Sequence, residues 1–372
     1  MNATIDVVVS GHLTIDLLPR METVGLRELP SPGHLFETGP MDYSTGGAVS
    51  NTGLALHRLG VDVRLMGTVG EDILGQAVIS LLDARDPILS QFVRRSDQPS
   101  SYTIVLSPER VDRIFLHYPG PNDTFDATYV DFEQVAHARI FHLGYPVLMG
   151  RLMADDGLEV EKIYRRAKAT GVVTSLDTAL PDPTGISGQV NWRKLISRTL
   201  PYTDIFVPSI EEILFMLRRN DFDAWHGDVL SHLTADYLAD LADELLAMGA
   251  VVAGFKMGEM GIYLQTGSAS KFERLSRLPI DMTQWANHRV WKPAFEVEVV
   301  GTTGAGDSAY AGLLTAMLKG LPPDEAVTWA CAVGACNVEA PDATSGIRTW
   351  EATAERLQSG WRQRDIVLAG YG

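Results

Sequence analysis

Cysteine occurs only twice in the 372 residues, at Cys331 and Cys336, and neither stands in a CxxC pair or at metal-ligand spacing. A disulfide scaffold is thereby excluded, and the two read as buried free thiols of a reducing compartment. The nine histidines include no HExxH and no pair with metal spacing, which argues against a zinc enzyme. Positive charge is in deficit, with 31 Lys+Arg against 47 Asp+Glu and a net charge of −16. So acidic a surface repels nucleic acid and anionic lipid, and neither partner is expected. Long apolar runs are missing as well. The stretch from Ala326 to Val338 falls short of the roughly 18 uncharged residues of a membrane span. Met1-Asn2-Ala3-Thr4-Ile5-Asp6 lacks the basic region and apolar stretch of a signal peptide, so a cytoplasmic location is expected. No repeat, low-complexity tract or serine-nucleophile elbow is seen.

What is present is an ordinary globular composition, 45% hydrophobic and 21% charged. The length suits one large α/β domain with an insertion, or two to three domains. Ile5 to Val9, closed by Ser10-Gly11-His12, reads as a buried strand. Gly46 to Gly60 reads as a helix leading into a strand over Val61 to Gly67. Further along, strands over Ala138–Leu143, Val172–Asp177, Ile205–Val207 and Val251–Lys256 alternate with helices over Gly157–Thr170 and Tyr237–Met248. Apolar strands alternating with helices predict a doubly wound, mainly parallel sheet covered on both faces. Two stretches break the rhythm. Segments such as Tyr102 to Leu106 and Arg113 to Tyr118 alternate in polarity, which fits an antiparallel flap. The expected division is an α/β core of residues 1–12, 46–98 and 122–372 with a small β lid of residues 13–45 and 99–121. Gly267 to Pro293 reads as a loop with short strands.

The sharpest motif is Gly301-Thr302-Thr303-Gly304-Ala305-Gly306-Asp307, between the strand-like Phe295 to Val300 and a helical Ser308 to Leu318. Strand, glycine turn and helix in that order aim free N–H groups and a helix dipole at one point, which favours a phosphoryl group. Gly304 and Gly306 allow close backbone approach. A carboxylate beside an anion site makes sense if Asp307 takes the proton of a hydroxyl that attacks the phosphoryl group. The loop has neither the Gly-Lys-Ser/Thr of a Walker A motif nor a GxGxxG fingerprint. On the substrate side, Gly46 and Gly47 permit close approach, and Asn51 offers donor and acceptor to a sugar hydroxyl. Arg113 lies on a flap strand in reach of sugar or phosphate. Asp177 ends a strand at the ligand-binding face but receives no specific role. His12 and His142 sit beside strand ends and read as satisfied structural histidines, and Arg165-Arg166-Lys168 as a solvated face.

These residues resemble the ribokinase/PfkB family of ATP-dependent sugar kinases over most of the chain. Gly46-Gly47 with Asn51 is similar to the family's N-terminal signature, and Gly301 to Asp307 to its C-terminal one. Gly70-Glu71-Asp72 with Gly75 resembles its Gly-Asp-Asp segment, and Lys256-Met257-Gly258-Glu259-Met260-Gly261 its strand-turn before the nucleotide. The resemblance makes Asp16 a partner of sugar hydroxyls and places Lys256, Gly258, Gly261, Thr302 and Asn337 at the nucleotide. Three departures stand out. Gly301 replaces an aspartate that helps hold a monovalent cation, which puts potassium activation in question. The family's Asn-x-x-Glu reads Ser209-Ile210-Glu211-Glu212, leaving Glu212 to hold Mg²⁺ through water. After Asp177, Thr178 and Ala179 stand where Asn and Arg are common.

The implied activity is ATP-dependent phosphorylation of a hydroxyl of a small sugar or related polyol. Asp307 would be the base, with the amides of Gly304, Ala305 and Gly306 and Mg²⁺ stabilising charge. Alternatives are a nucleoside kinase of the same family and a catalytically weak sugar- or nucleotide-binding sensor. Exposed lid strands can pair across a two-fold axis, giving a homodimer.

Overall fold

The computed structural model describes residues 4–21, 33, 35–107 and 114–371. Its strands are β1 (Ile5–Gly11), β2 (Thr14–Pro19), β3 (Met41–Gly46), β4 (Val63–Met66), β5 (Thr68–Gly70), β6 (Arg94–Ser96), β7 (Tyr102–Leu106), β8 (Ile114–Tyr118), β9 (Ala138–Gly144), β10 (Val173–Asp177), β11 (Ile205–Phe206), β12 (Val252–Lys256), β13 (Ile262–Thr266) and β14 (Arg289–Lys292). The main sheet has the order β14-β13-β12-β11-β10-β9-β1-β4. From β4 through β12 every pair is parallel. The last two strands depart from the expected parallel run: β13 and β14 are antiparallel. The link between β12 and β13 is the tight turn Met257–Gly261, too short for a crossover helix, so the chain must double back.

Alternation along β1 explains the two layers. Val7 and Val9 join the cluster built with Ala48–Arg58, Ala305–Leu318 and Pro323–Asn337. Val8 joins the opposite cluster, with Gly150–Ala169, Trp192–Thr199, Ile210–Leu217 and Ala235–Met248. Helix Ala305–Leu318 is buried along its whole length from Asp307 to Leu318. A helix apolar all round belongs inside the layer rather than on it. No helix among the described residues is long and apolar enough to cross a membrane.

A second, four-stranded sheet in the order β3-β2-β7-β8 forms the lid. Its β2–β3 and β7–β8 pairs are antiparallel, but β2 and β7 run parallel. The flap is therefore mixed, because its two hairpins come from distant stretches of chain and join through like-directed strands. Apolar side chains remain exposed on its two edge strands, including Tyr43 on β3 and Phe115 on β8. β5 and β6 pair separately, and Gly267 to Pro293 holds short helices and β14. Phe295 to Val300 is not a strand: only Phe295 makes a bridge, to Gln363. Pro293 cannot donate to a continuing ladder, so edge pairing stops there.

Candidate active site

β1 is where strand order reverses, with β4 on one side and β9 on the other. Crevices for ligands open at the carboxyl ends of strands at such a point. Those ends carry His12 after β1, Tyr145 after β9, Asp177 on β10 and Lys256 on β12.

Helix Ala305–Leu318 enters the same place. Its N-cap Gly304 has φ +73°, and a Cβ there would lie 2.7 Å from the Ala343 carbonyl oxygen, so glycine is required. Asp307, in the first turn, is 2% exposed. Its Oδ2 accepts from Tyr145 Oη at 2.6 Å and from Asn51 Nδ2 at 3.1 Å, and its Oδ1 accepts from Thr52 Oγ1 at 3.1 Å. Burial pushes its pKa up to about 6, reinforced by Asp177 and opposed by the Tyr145 bond, Lys256 and Asn51. Such a carboxylate is ionised at neutral pH, fixed in orientation and basic enough to take a proton.

Lys256 Nζ bonds Asp177 at 2.6 and 2.8 Å, and both side chains are buried. Burial opposes the ammonium charge, but Asp177, Glu212 and Asp307 around it raise the pKa of Lys256. Glu212, in the first turn of helix Ile210–Leu217, accepts from Thr178 Oγ1 at 2.8 Å and from the Ser209 N–H at 3.0 Å. Burial lifts its pKa to about 7; Lys256 opposes and Asp177 adds to the rise. Both bonds fall on Oε2.

Beside this network lies a cavity of about 570 Å³, within the usual range for small-molecule sites. Lys256, Gly258, Gly261, Thr302, Ala305 and Gly306 line it, and Val297, Val299, Ala335 and Val338 supply an apolar wall. A shallower hollow of about 350 Å³ between Asp243 and Arg289, at the outer sheet edge, contains none of the candidates.

On the other side of Asp307 is the seam between lid and core. A Cβ on Gly46 would meet the Asp16 carboxylate at 2.3 Å, so Asp16 lies directly against that glycine. Burial raises Asp16 to about 6, against a bond from Thr103 that lowers it. Gly47 has φ +85°, and a Cβ there would stand 2.6 Å from His12 Nδ1. Asn51 sits in the helix Ala48–Arg58 that follows.

The expected residues thus fall into two groups that meet at Asp307. Asn337 stands apart from both: its Nδ2 donates to the Thr303 carbonyl at 2.8 Å, and it does not line the cavity. It braces the Gly301–Gly304 loop from behind. Arg113 lies outside the described residues. Asp72 caps helix Ile73–Asp83 by accepting from the Gly75 N–H and also accepts from Ser100 Oγ, which anchors the start of β7's segment to the core. His12 and His142 are not satisfied histidines: both His12 nitrogens and His142 Nε2 are buried without partners among the described residues. Lys168 is not simply solvated, since it pairs with buried Asp204.

Sequence reasoning missed Tyr145, Thr52 and Thr178, and gave no role to Asp177. Tyr145 takes a left-handed conformation, φ 62°, directly after β9. Its place at a strand's carboxyl end beside the switch strand is the signal that could have found it.

Comparisons with known proteins give the family and the fold. The model of the pfkB family of carbohydrate kinases matches residues 4–350. The chain is 26% identical over 332 residues to the 2-dehydro-3-deoxygluconokinase of Bacillus subtilis, covering 88% of this chain and 90% of that one. It is 27% identical over 363 residues to the probable fructokinase-6 of Arabidopsis thaliana, covering 94% and 82%. In fold it is similar to the Arabidopsis thaliana ribokinase solved with ribose and ATP: TM-score 0.73, 18% identity, covering 96% of this chain and 99% of that one. The Xylella fastidiosa fructokinase with bound ATP gives 0.70 at 18% identity, covering 95% and 98%. The chain belongs to the pfkB family of carbohydrate kinases.

Proposed function

We propose that the enzyme transfers the γ-phosphoryl group of ATP to a hydroxyl of a small sugar held between the lid and the core. The observation that carries this reading is Asp307: a buried carboxylate fixed by three donors, one residue from a cavity-lining helix N-terminus and hydrogen-bonded to Asn51 of the lid seam. The cavity takes the nucleotide, with its apolar wall against the base and the Ala305 and Gly306 end of the helix at the phosphates. The sugar lies along Gly46 and Gly47, with Asp16 and Asn51 as hydroxyl partners. The attacking hydroxyl gives its proton to Asp307 as its oxygen bonds the γ-phosphorus. The bond from that phosphorus to the β-γ bridging oxygen breaks, and ADP leaves. The Gly306 N–H at the start of the helix, with the Lys256 ammonium beside it, meets the charge that develops on the phosphoryl oxygens, whereas the Ala305 N–H is already donated to the Thr302 carbonyl at 3.2 Å.

Among the described residues, a divalent cation fits this donor set through Glu212 and water. The described residues contain no group of three or more His, Cys, Asp or Glu able to cage a metal. Glu212, bonded only through Oε2, offers Oε1 to a hydrated ion that arrives with the nucleotide phosphates. Bound there, Mg²⁺ would neutralise phosphate charge.

The test is ADP release from Mg-ATP across a panel of sugars, sugar acids and nucleosides, with Asp307→Asn as the blank. Sugar-dependent ADP release that vanishes in the variant is expected. Turnover with nucleosides only, or none with any acceptor, would overturn the reading.

A further inference from the structure

At the carboxyl end of β1 stands an imidazole that the fold does not use. His12 is 2% exposed, and neither ring nitrogen has a hydrogen-bond partner among the described residues. Its backbone is fully engaged, N–H to the Gly144 carbonyl at 3.3 Å and carbonyl to the Val49 N–H at 3.1 Å. Buried donors and acceptors without partners are costly, and a natural fold leaves few of them. His142 has one such atom, but its Nδ1 is tied to Ser175 at 3.0 Å and its ring packs edge-on to Tyr310, under the sheet end.

The place of His12 says what it waits for. Its Nδ1 flanks Gly47, as the Asp16 carboxylate flanks the adjoining Gly46. Asn51, one helical turn further, has its Nδ2 committed to Asp307 and its Oδ1 buried and unpartnered. Three orphaned polar atoms and one carboxylate therefore belong to residues that adjoin two consecutive glycines: His12 and Asp16 lie against them, and the Asn51 N–H donates to the Gly47 carbonyl. The lid closes the same seam: the His117 ring stands 5.3 Å from that of His12, and His117 Nδ1 lies 3.1 Å from Thr103 Oγ1, itself bonded to Asp16. Among the described residues no Lys or Arg is paired with His12 or Asp16.

We propose that His12 is a substrate-binding residue which, with Asn51 Oδ1 and Asp16, selects an uncharged polyhydroxylated sugar over a sugar acid or sugar phosphate. The proposal rests on the sugar-kinase reading above. A neutral imidazole is one donor and one acceptor, which is the complement of a sugar hydroxyl in either orientation. Asn51 Oδ1 accepts from a second hydroxyl, and Asp16 from a third. An anionic substituent at the same place would face the carboxylates of Asp16 and Asp307.

The experiment compares wild type with His12→Leu, which removes both polar atoms, and His12→Gln, which keeps a donor and an acceptor. Sugar affinity is read by calorimetry in the absence of nucleotide, and KM for sugar and for ATP by ADP release. The best sugar of the wild type should be neutral. His12→Leu should weaken its binding about tenfold or more, His12→Gln should restore most of the loss, and KM for ATP should stay unchanged. If His12→Leu does not fold, His12→Phe keeps a planar ring in the same space without the hydrogen bonds. A wild type that phosphorylates a sugar which the Leu or Phe variant binds equally well overturns the role of His12 alone. A preference for sugar acids or phosphates overturns the selection. A wild type that binds no sugar at all overturns the underlying reading together with this one.

Discussion

The two sides of Asp307 are built to opposite rules. Toward β12 the charged groups are already hydrogen-bonded: Lys256 is clasped by Asp177, and Glu212 is bonded to Thr178 and Ser209. Toward the lid, His12 and Asn51 keep buried polar atoms without a partner among the described residues. The first side resembles a finished electrostatic frame that a nucleotide can enter without rearranging it. The second is completed only by a ligand's own hydroxyls. Stability should therefore reside in the first side and specificity in the second.

The largest expected effect breaks the point where the sides meet. Asp307→Asn should lower kcat by about 10²- to 10⁴-fold, the usual worth of a positioned general base. It should not lower the melting temperature, because it removes a carboxylate whose charged form burial disfavours. Next comes the frame itself. Asp177→Ala leaves the Lys256 ammonium buried and unpaired, and should cost about 3–5 kcal/mol of stability in chemical denaturation. No comparable loss is expected from His12→Gln. A smaller effect is expected from Tyr145→Phe, which deletes the 2.6 Å bond to Asp307. That bond holds the carboxyl down, so its loss should move the acid limb of the kcat/KM profile upward from about pH 6.

The pH dependence sharpens the contrast further. Burial lifts both Asp307 and Asp16 to about 6 in the folded chain; Asp307 can take a proton only when ionised, and Asp16 accepts from sugar hydroxyls at full strength only when ionised. With saturating nucleotide, kcat/KM for sugar should fall below pH 6 more steeply than one proton allows, and Asp16→Asn should return the remaining activity to a single-proton slope. Stability runs the other way for this pair. Their folded values lie above the ordinary 3.8, so their contribution is fully present below about pH 4 and is lost as pH rises through 6. His12 opposes them: burial takes it down to about 3, so it costs stability as pH falls below 6.5.

Local patterns made much of this legible. The glycine turn at Gly301 to Asp307, the Gly46-Gly47 pair with Asn51, and the β-α alternation each depend on neighbours in sequence. What escaped depends on chain partners far apart. Tyr145 finds Asp307 across 162 positions and Lys256 finds Asp177 across 79, and no spacing rule announces either pair. Phe295 to Val300 looks apolar and β-branched, yet it lies beyond Pro293 at a sheet edge with only one bridge to pair it. The parallel β2–β7 pair arises from joining two remote hairpins. Asn337 carries the right residue type near the nucleotide loop, but its Nδ2 is spent on the Thr303 carbonyl, while its Oδ1 is buried without a partner among the described residues.

The most direct test of the central claim is single-turnover phosphoryl transfer by wild type and Asp307→Asn, with sugar and ATP affinities measured on the same preparations. The account predicts affinities within a few-fold of wild type and a transfer rate lower by about two orders of magnitude or more. Transfer by Asp307→Asn at a near wild-type rate would contradict it.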